Sequence, residues 1–305
     1  MPFDSEEHMD FNLRDRIRCA VFYLPWKSFV LRNKKQIVLG FDETVNLLLN
    51  GEKSVARYGD GELNLMKSVD HSLTFQRNST ELQKRLHEVF YDESPNLLIG
   101  IPHNVFRLEK TDNLRARAHW LSQITKISKY LDTLFYKERQ FIDASFTRLY
   151  IDKKKNVDFD SRFKKVSKLW NNREVLIVEG ENTKFGVGNG LLDNAKNVNR
   201  ILIPNENAFD SYKKIYESTT SVVKNMDSNV LVLISAGPTA TILAADLSKI
   251  GVQSIDIGHL DVEYEWFKRG VTEKVRIPGK YVNEAAQGRD LAHRYEGDDI
   301  LLRVD

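Results

Sequence analysis

Among 305 residues there is one cysteine, Cys19, so no internal disulfide framework can form and no cysteine-rich zinc site can be built. That fits a reducing compartment, and any metal would have to sit on oxygen or imidazole ligands. Charge of one sign is not in excess either. Forty-five Lys and Arg stand against 43 Asp and Glu, which removes any global reason to expect nucleic-acid binding and makes basic function a local matter. Long apolar runs are also missing. No stretch approaches the ~20 residues that a membrane-spanning helix needs. The best early run, "CAVFYLPW", is broken by Pro25 and followed by Lys27, where a signal peptide would carry a small-residue cleavage site. These absences predict a cytosolic protein, with room for a peripheral position at the inner face of the cell membrane.

What is present begins with a basic amphipathic stretch. Between Phe11 and Lys35 lie seven Lys and Arg and one acidic residue, Asp15, interleaved with Phe22, Leu24, Trp26 and Phe29. The pattern predicts two short helices hinged near Pro25, which either pack on the main domain or lie on an anionic membrane surface through the basic residues and those aromatics. Residues 1–40 are set apart as this segment and 41–305 as the main domain. Asp42 is expected to cap a helix over "ETVNLLLNG", closed by Gly51.

Beyond it, apolar runs end in turn residues at "SVARYG", "NLLIGIP", "EVLIVEG", "RILIPN", "NVLVLISAGP" and "SIDIG". Helical patterns separate them. Nearly all-apolar strands alternating with helices predict an α/β fold, a mostly parallel sheet with helices on both faces. Two halves meet at the charged stretch "IDKKKNVDFDS". The tail from Pro278 onward offers no recognisable chemistry. In such sheets ligands sit beyond the carboxyl ends of the strands, so the loops "YGDGE", "IPHN", "EGENTKFGVGNG", "IPNEN", "SAGPT" and "GHLDVE" are expected to open on one edge.

Within these loops, "SAGPT" has the makings of a phosphate site, with Ser235 and Thr239 hydroxyls beside the free N–H groups of a helix start and Gly237 leaving room for the ligand. The glycines of "GVGNG" lie too far from their strand and are misspaced for a dinucleotide fingerprint, and fit a flexible substrate-side loop better. Two D-x-E sequences, Asp60/Glu62 and Asp261/Glu263, each follow a strand. Such pairs can supply hard oxygen ligands to Mg²⁺ or Mn²⁺, or serve as helix caps and solvated first-turn acids. Arg57 is near enough to the first to pair with a carboxylate or a phosphate. His259 stands before the second, where an imidazole can contact a phosphate, bind metal or act as a base.

Together "VARYGDGELNLM", "SFTRLY", "IVEGENTKFGVGNGLLDNAKNVNRILIPNENAF", "LISAGPTATILAADLSKIG" and "DIGHLDVEYEWF" resemble the bacterial GT-D glycosyltransferases, a former domain of unknown function found in the glycosylation of streptococcal surface adhesins. The resemblance runs from about Asp42 to Arg269. It implies a Rossmann-like GT-D fold, a UDP-glucose or UDP-galactose donor, and a divalent cation, Mn²⁺ or Mg²⁺, on a D-x-E motif. Both pairs match that motif; Asp261/Glu263 is favoured because its loop neighbours "SAGPT". The donor is expected on Arg57, Gly59, Glu181, Asn205, Ser235, Gly237 and Thr239. His259 and Glu265 are expected to touch the sugar or activate the acceptor hydroxyl. The acceptor would be a surface glycan, a glycoprotein or, given the basic segment, a lipid-linked oligosaccharide. A metal-dependent phosphohydrolase and a non-catalytic nucleotide-binding module are the alternatives.

Overall fold

A computed structural model describes the backbone of residues 5–50, 53–289 and 294–305, with side chains from residue 13 onward. The apolar runs become strands of one sheet: β1 (Ile37–Val38), β2 (Ser54–Arg57), β3 (Leu97–Ile101), β4 (Gln140–Asp143), β5 (Glu174–Gly180), β6 (Asn197–Ile203), β7 (Leu231–Ser235), β8 (Ser254–Asp256) and β9 (Ile300–Arg303). Their order across the sheet is β1-β4-β3-β2-β8-β7-β5-β6-β9. Every pairing is parallel. The sequence patterning missed β1, β4 and β9, which are two to four residues long and carry too few apolar positions to stand out.

The sheet is spliced from two consecutive blocks. Residues 37–143 supply the four strands on one side and residues 174–303 the five on the other. They meet where β2 pairs with β8 through the single register pair Val55↔Ile255. Hydroxyls reinforce the join, since Ser54 Oγ accepts from Ser254 N at 3.0 Å.

Helices cover both faces, as buried strands require. On one face lie α1 (Ser5–Arg32), α3 (Asp60–Lys67), α4 (Thr80–Phe90), α5 (Leu114–Leu134), α7 (Tyr212–Val223) and α8 (Pro238–Lys249). On the other lie α2 (Phe41–Leu49), α6 (Phe159–Ser167) and α9 (Leu260–Arg269). Alternate strand residues divide between the layers: Ala56, Leu176 and Val178 face the first, Val55, Val175 and Ile177 the second.

Three local expectations are corrected. The N-terminal basic segment is one helix that runs through Pro25, because Trp26 and Phe29, just after the proline, are buried in the core and hold the chain in register. Those two aromatics are thus removed from any membrane contact; Trp26 donates its indole N–H to the carbonyls of Asn104 and Val105. Helix α2 is capped by Gly40, two residues before Asp42, which instead lies in the first turn, with Glu43 accepting from Gly40 N at 2.7 Å. Gly51, expected to close it, lies outside the described residues. Among the described residues no helix is long and apolar enough to cross a membrane.

Candidate active site

The helices after β2 and β7 leave toward one face and the helix after β8 toward the other, so the chain parts around the end of β8. A crevice opens there, beyond the carboxyl ends of the strands. It has a volume of about 660 Å³ and is lined from all six predicted loops, a size suited to a small organic ligand. Arg57, Gly59, Asp60, Glu62, Asn205, Ser235, Gly237, His259 and Asp261 line it; Glu181, Thr239, Glu263 and Glu265 do not.

Arg57 is a strut beneath the crevice. Its guanidinium donates to Asp256 Oδ1 at 3.3 Å, to the Ala144 carbonyl at 2.9 Å and to the Thr147 hydroxyl, tying β2 to β8 and to the turn after β4. Gly258, at φ +51°, leaves the space for it: a Cβ there would lie 2.0 Å from the guanidinium. Gly237 is constrained in the same way, at φ +54° with Phe75 only 2.6 Å from where a Cβ would stand. Any side chain at Gly237 would therefore strain the loop whether or not a phosphate binds there. Ser235 Oγ donates to Gly258 O at 3.0 Å, while the buried Thr239 hydroxyl has no hydrogen-bond partner among the described residues.

The two D-x-E pairs sit on the same edge but in opposite circumstances. Asp60 and Glu62 occupy the first turn of α3. Asp60 is half-exposed to the crevice and pairs with His119 at 3.1 Å. Burial raises its carboxyl, but the His119 hydrogen bond and charge, with Arg148, more than compensate and hold it below the usual value. Glu62 accepts from Gly59 N at 2.8 Å, so the capping role is real. Burial and the neighbouring Asp256 carboxylate push Glu62 up to about 7.

Asp261 and Glu263 are buried, at 1 % and 0 % exposure; both Asp261 oxygens are hydrogen-bonded, whereas Glu263 Oε1 accepts no hydrogen bond from the described residues and lies 3.5 Å from the Arg148 guanidinium. Asp261 accepts from Gly186 N at 2.8 Å, Asn189 Nδ2 at 2.7 Å and Lys280 Nζ at 2.7 Å. Glu263 accepts from Tyr150 N at 2.7 Å and Ile151 N at 2.9 Å. Glu265 bonds Asn189 and Lys280 behind them. Helix α9 thus uses its carboxylates to fasten two crevice walls, the 148–151 turn and the "GVGNG" loop. That loop is pinned where the sequence suggested a flexible one.

Residues that sequence reasoning passed over complete the site. Arg148, from "SFTRLY", makes a two-pronged contact with Glu284 at 2.6 and 2.9 Å, and His259 and Lys274 bond the same carboxylate. Although burial opposes ionisation, the Arg148 charge first, then the field and hydrogen bond of His259, hold Glu284 well below the usual carboxylate range. Glu284, Lys280 and Tyr281 all come from the stretch after Pro278 that carried no sequence signal; the tail is part of the site.

A second polar nest lies beside the crevice. His103 is buried, with Nδ1 3.0 Å from Asp143 Oδ2 and Nε2 2.9 Å from Asp112 Oδ2, while Lys153 bonds Asp112 at 2.6 Å. His103, Glu109 and Asp112 bring ligand atoms within 4.8 Å of one another and so could bind a metal. Burial favours the neutral ring, but the charge of Asp143 and both hydrogen bonds raise His103 to about 9. A protonated imidazole beside Lys153 already supplies the cations these carboxylates need.

Residues 55–285 match the family described as glycosyltransferase GT-D fold. The chain is 32 % identical over 258 residues to a probable glycosyl transferase Gly of Streptococcus gordonii, covering 84 % of this chain and 37 % of that protein. It is 33 % identical over 260 residues to the glycosyltransferase GlyD of Streptococcus pneumoniae serotype 4 (strain ATCC BAA-334 / TIGR4), covering 83 % and 30 %. The chain therefore spans about a third of the length of these curated relatives. Among solved structures, a domain of unknown function 1792, described as having a distinct glycosyltransferase fold, superposes with a TM-score of 0.82 at 31 % identity, covering 92 % of this chain and 100 % of that one. A new glycosyltransferase of the same domain class from Streptococcus sanguinis gives 0.78 at 30 % identity, covering 88 % and 99 %.

Proposed function

The chain belongs to the GT-D fold family of glycosyltransferases, and from that premise we propose that it moves a hexose from UDP-glucose or UDP-galactose to a sugar acceptor on a surface glycan, glycoprotein or lipid-linked oligosaccharide. The observation that carries this reading is the crevice itself. One wall presents the half-exposed Asp60 and the more buried Glu62 of α3, and facing them Arg148, Lys274 and the His259 imidazole gather around a single glutamate. A nucleoside diphosphate needs both a cationic cradle and carboxylates to share a metal with it.

Which carboxylates would hold Mn²⁺ or Mg²⁺ follows from what already touches them. Asp261 would have to surrender Lys280, and Glu263, although its Oε1 accepts no hydrogen bond from the described residues, is fully buried and does not line the crevice. Asp60 would have to surrender only a half-exposed histidine, and Glu62 accepts one N–H on one oxygen. The fit therefore favours Asp60 and Glu62. The cation would stabilise charge developing on the departing diphosphate. Arg57 keeps the β2 and β8 loops in register, Arg148 and Lys274 attract the diphosphate, and Ser235, Gly237 and Asn205 shape the donor side. His259, at the edge of the crevice, contacts the sugar or the acceptor hydroxyl. Glu265, outside it, acts by positioning Asn189 and Lys280.

The test is a panel of nucleotide sugars, with and without Mn²⁺, with UDP release followed in the presence of sugar acceptors. Turnover with a UDP-hexose that vanishes on chelation supports the reading. Release of phosphate in place of UDP, or no turnover with any donor, overturns it.

A further inference from the structure

Helix α1 has two apolar faces, and only one is used. Trp26 and Phe29 are buried, with Cys19, Phe22 and Val30 partly buried beside them against the layer that contains α5. On the opposite side Leu13, Ile17, Val21, Leu24 and Leu31 are 56, 55, 59, 73 and 60 % exposed. Their spacing of four, four, three and seven residues sets them in one stripe along the helix. Five large aliphatic side chains in a row on an exposed helix face exceed the scattered apolar residues of an ordinary surface.

We propose that this stripe docks on an anionic phospholipid surface. The charges around it choose that occupant. At 100° per residue, exposed Arg14 borders the stripe on one side and exposed Arg16 and Lys27 on the other, and Lys34 and Lys35 follow the helix end. Asp15 is the one acidic residue from Leu13 to Lys35. It lies toward the packed side, 3.7 Å from Arg18. A second copy of the chain would bring two such sets of cations face to face. A bilayer surface gives them anionic headgroups in the plane where the leucines enter the acyl boundary.

The direction of the helix gives this docking a use. Helix α1 runs alongside α5 in the same sense: Trp26 reaches the carbonyls just ahead of α5, and Arg32 and Asn33 reach Asp132 near its end. The residues before Trp26 therefore run along the first turns of α5, which line the crevice, toward the side on which it opens. A lipid surface along α1 would flank the crevice mouth. This last step rests on the transferase reading; the docking does not.

The test uses the full chain with vesicles of pure phosphatidylcholine and vesicles containing phosphatidylglycerol. Wild-type protein should sediment with the anionic vesicles at least tenfold more than with the neutral ones. Val21→Asp with Leu24→Asp should abolish sedimentation while leaving the thermal midpoint and UDP release with a soluble acceptor unchanged. Arg14→Glu with Arg16→Glu and Lys27→Glu should do the same. Failure of wild type to bind, or retention of binding by the aspartate variant, overturns the proposal. So does concentration-dependent dimerisation of wild type that the aspartate variant loses, which would assign the stripe to a second copy. Loss of UDP release in wild type would leave the vesicle result standing and count against the transferase reading alone.

Discussion

At the scale of single residues, the two D-x-E pairs illustrate how far the sequence reaches. Both were visible as acids following strands, and both lie at one edge of the sheet, one pair facing the crevice and the other buried in its wall. Their difference was not visible, because it depends on Lys280, which stands 19 positions beyond Asp261 in a stretch with neither periodicity nor motif. The consequence is measurable. Asp261→Asn would leave the buried Lys280 ammonium without its closest counter-ion and should cost ~3–5 kcal/mol of stability, the penalty for breaking a buried pair. Asp60→Asn, on a half-exposed side chain, should stay within about 1 kcal/mol of wild type yet lose UDP-hexose turnover by two orders of magnitude or more. Denaturant melts and steady-state assays on the two variants check both statements; a stable but inactive Asp261 variant would move the metal to α9. Gly258→Ala belongs with these, since a methyl group must evict the Arg57 guanidinium. It should weaken UDP binding by calorimetry at least tenfold.

At the scale of elements, the longer apolar strands were plain because a strand buried on both faces reads as an uninterrupted apolar run. Strands β1 and β4 were hidden by brevity, and the continuity of α1 by a proline. Pro25 removes one backbone donor and should kink an isolated helix. Here it is exposed on the outer side. Tertiary packing one and four residues later outweighs the local preference. Trp26→Ala should therefore destabilise the protein by ~3–5 kcal/mol, the usual loss for a large buried aromatic, and expose α1 to hydrogen exchange ahead of the rest. Leu24→Ala, two residues earlier and on the opposite, free face, should change the denaturation midpoint by no more than ~0.5 kcal/mol equivalent. Equal effects of the two would mean that α1 is not anchored as described.

At the scale of the whole molecule, the titrating groups act in concert. Burial lifts Glu62, Glu179 and Glu263 to about 7 from ordinary values of 4.5, and paired carboxylates lift His103 from 6.5 to about 9. All four bind protons more tightly folded than unfolded. The carboxyls withdraw stability as pH rises from about 4.5 to 7, and His103 withdraws its share from about 6.5 to 9. Asp112, Asp143 and Glu284, held low, act oppositely and protect only above the usual carboxylate range. The thermal midpoint should accordingly peak in mildly acid solution and decline toward pH 9, with His103→Gln flattening the decline above pH 7; a midpoint rising over that interval would contradict the assignment. The splice between β2 and β8 has a different consequence, in time. Ser54 waits for a partner 200 positions later in the chain. At a ribosome adding about 5–20 residues per second, that is on the order of 10–40 seconds during which β2, a central strand of the finished sheet, is a bare edge. The register under the crevice is thus laid down late, with only the β6–β9 edge after it, and a chain stalled before β8 would emerge incomplete, aggregation-prone and without a site.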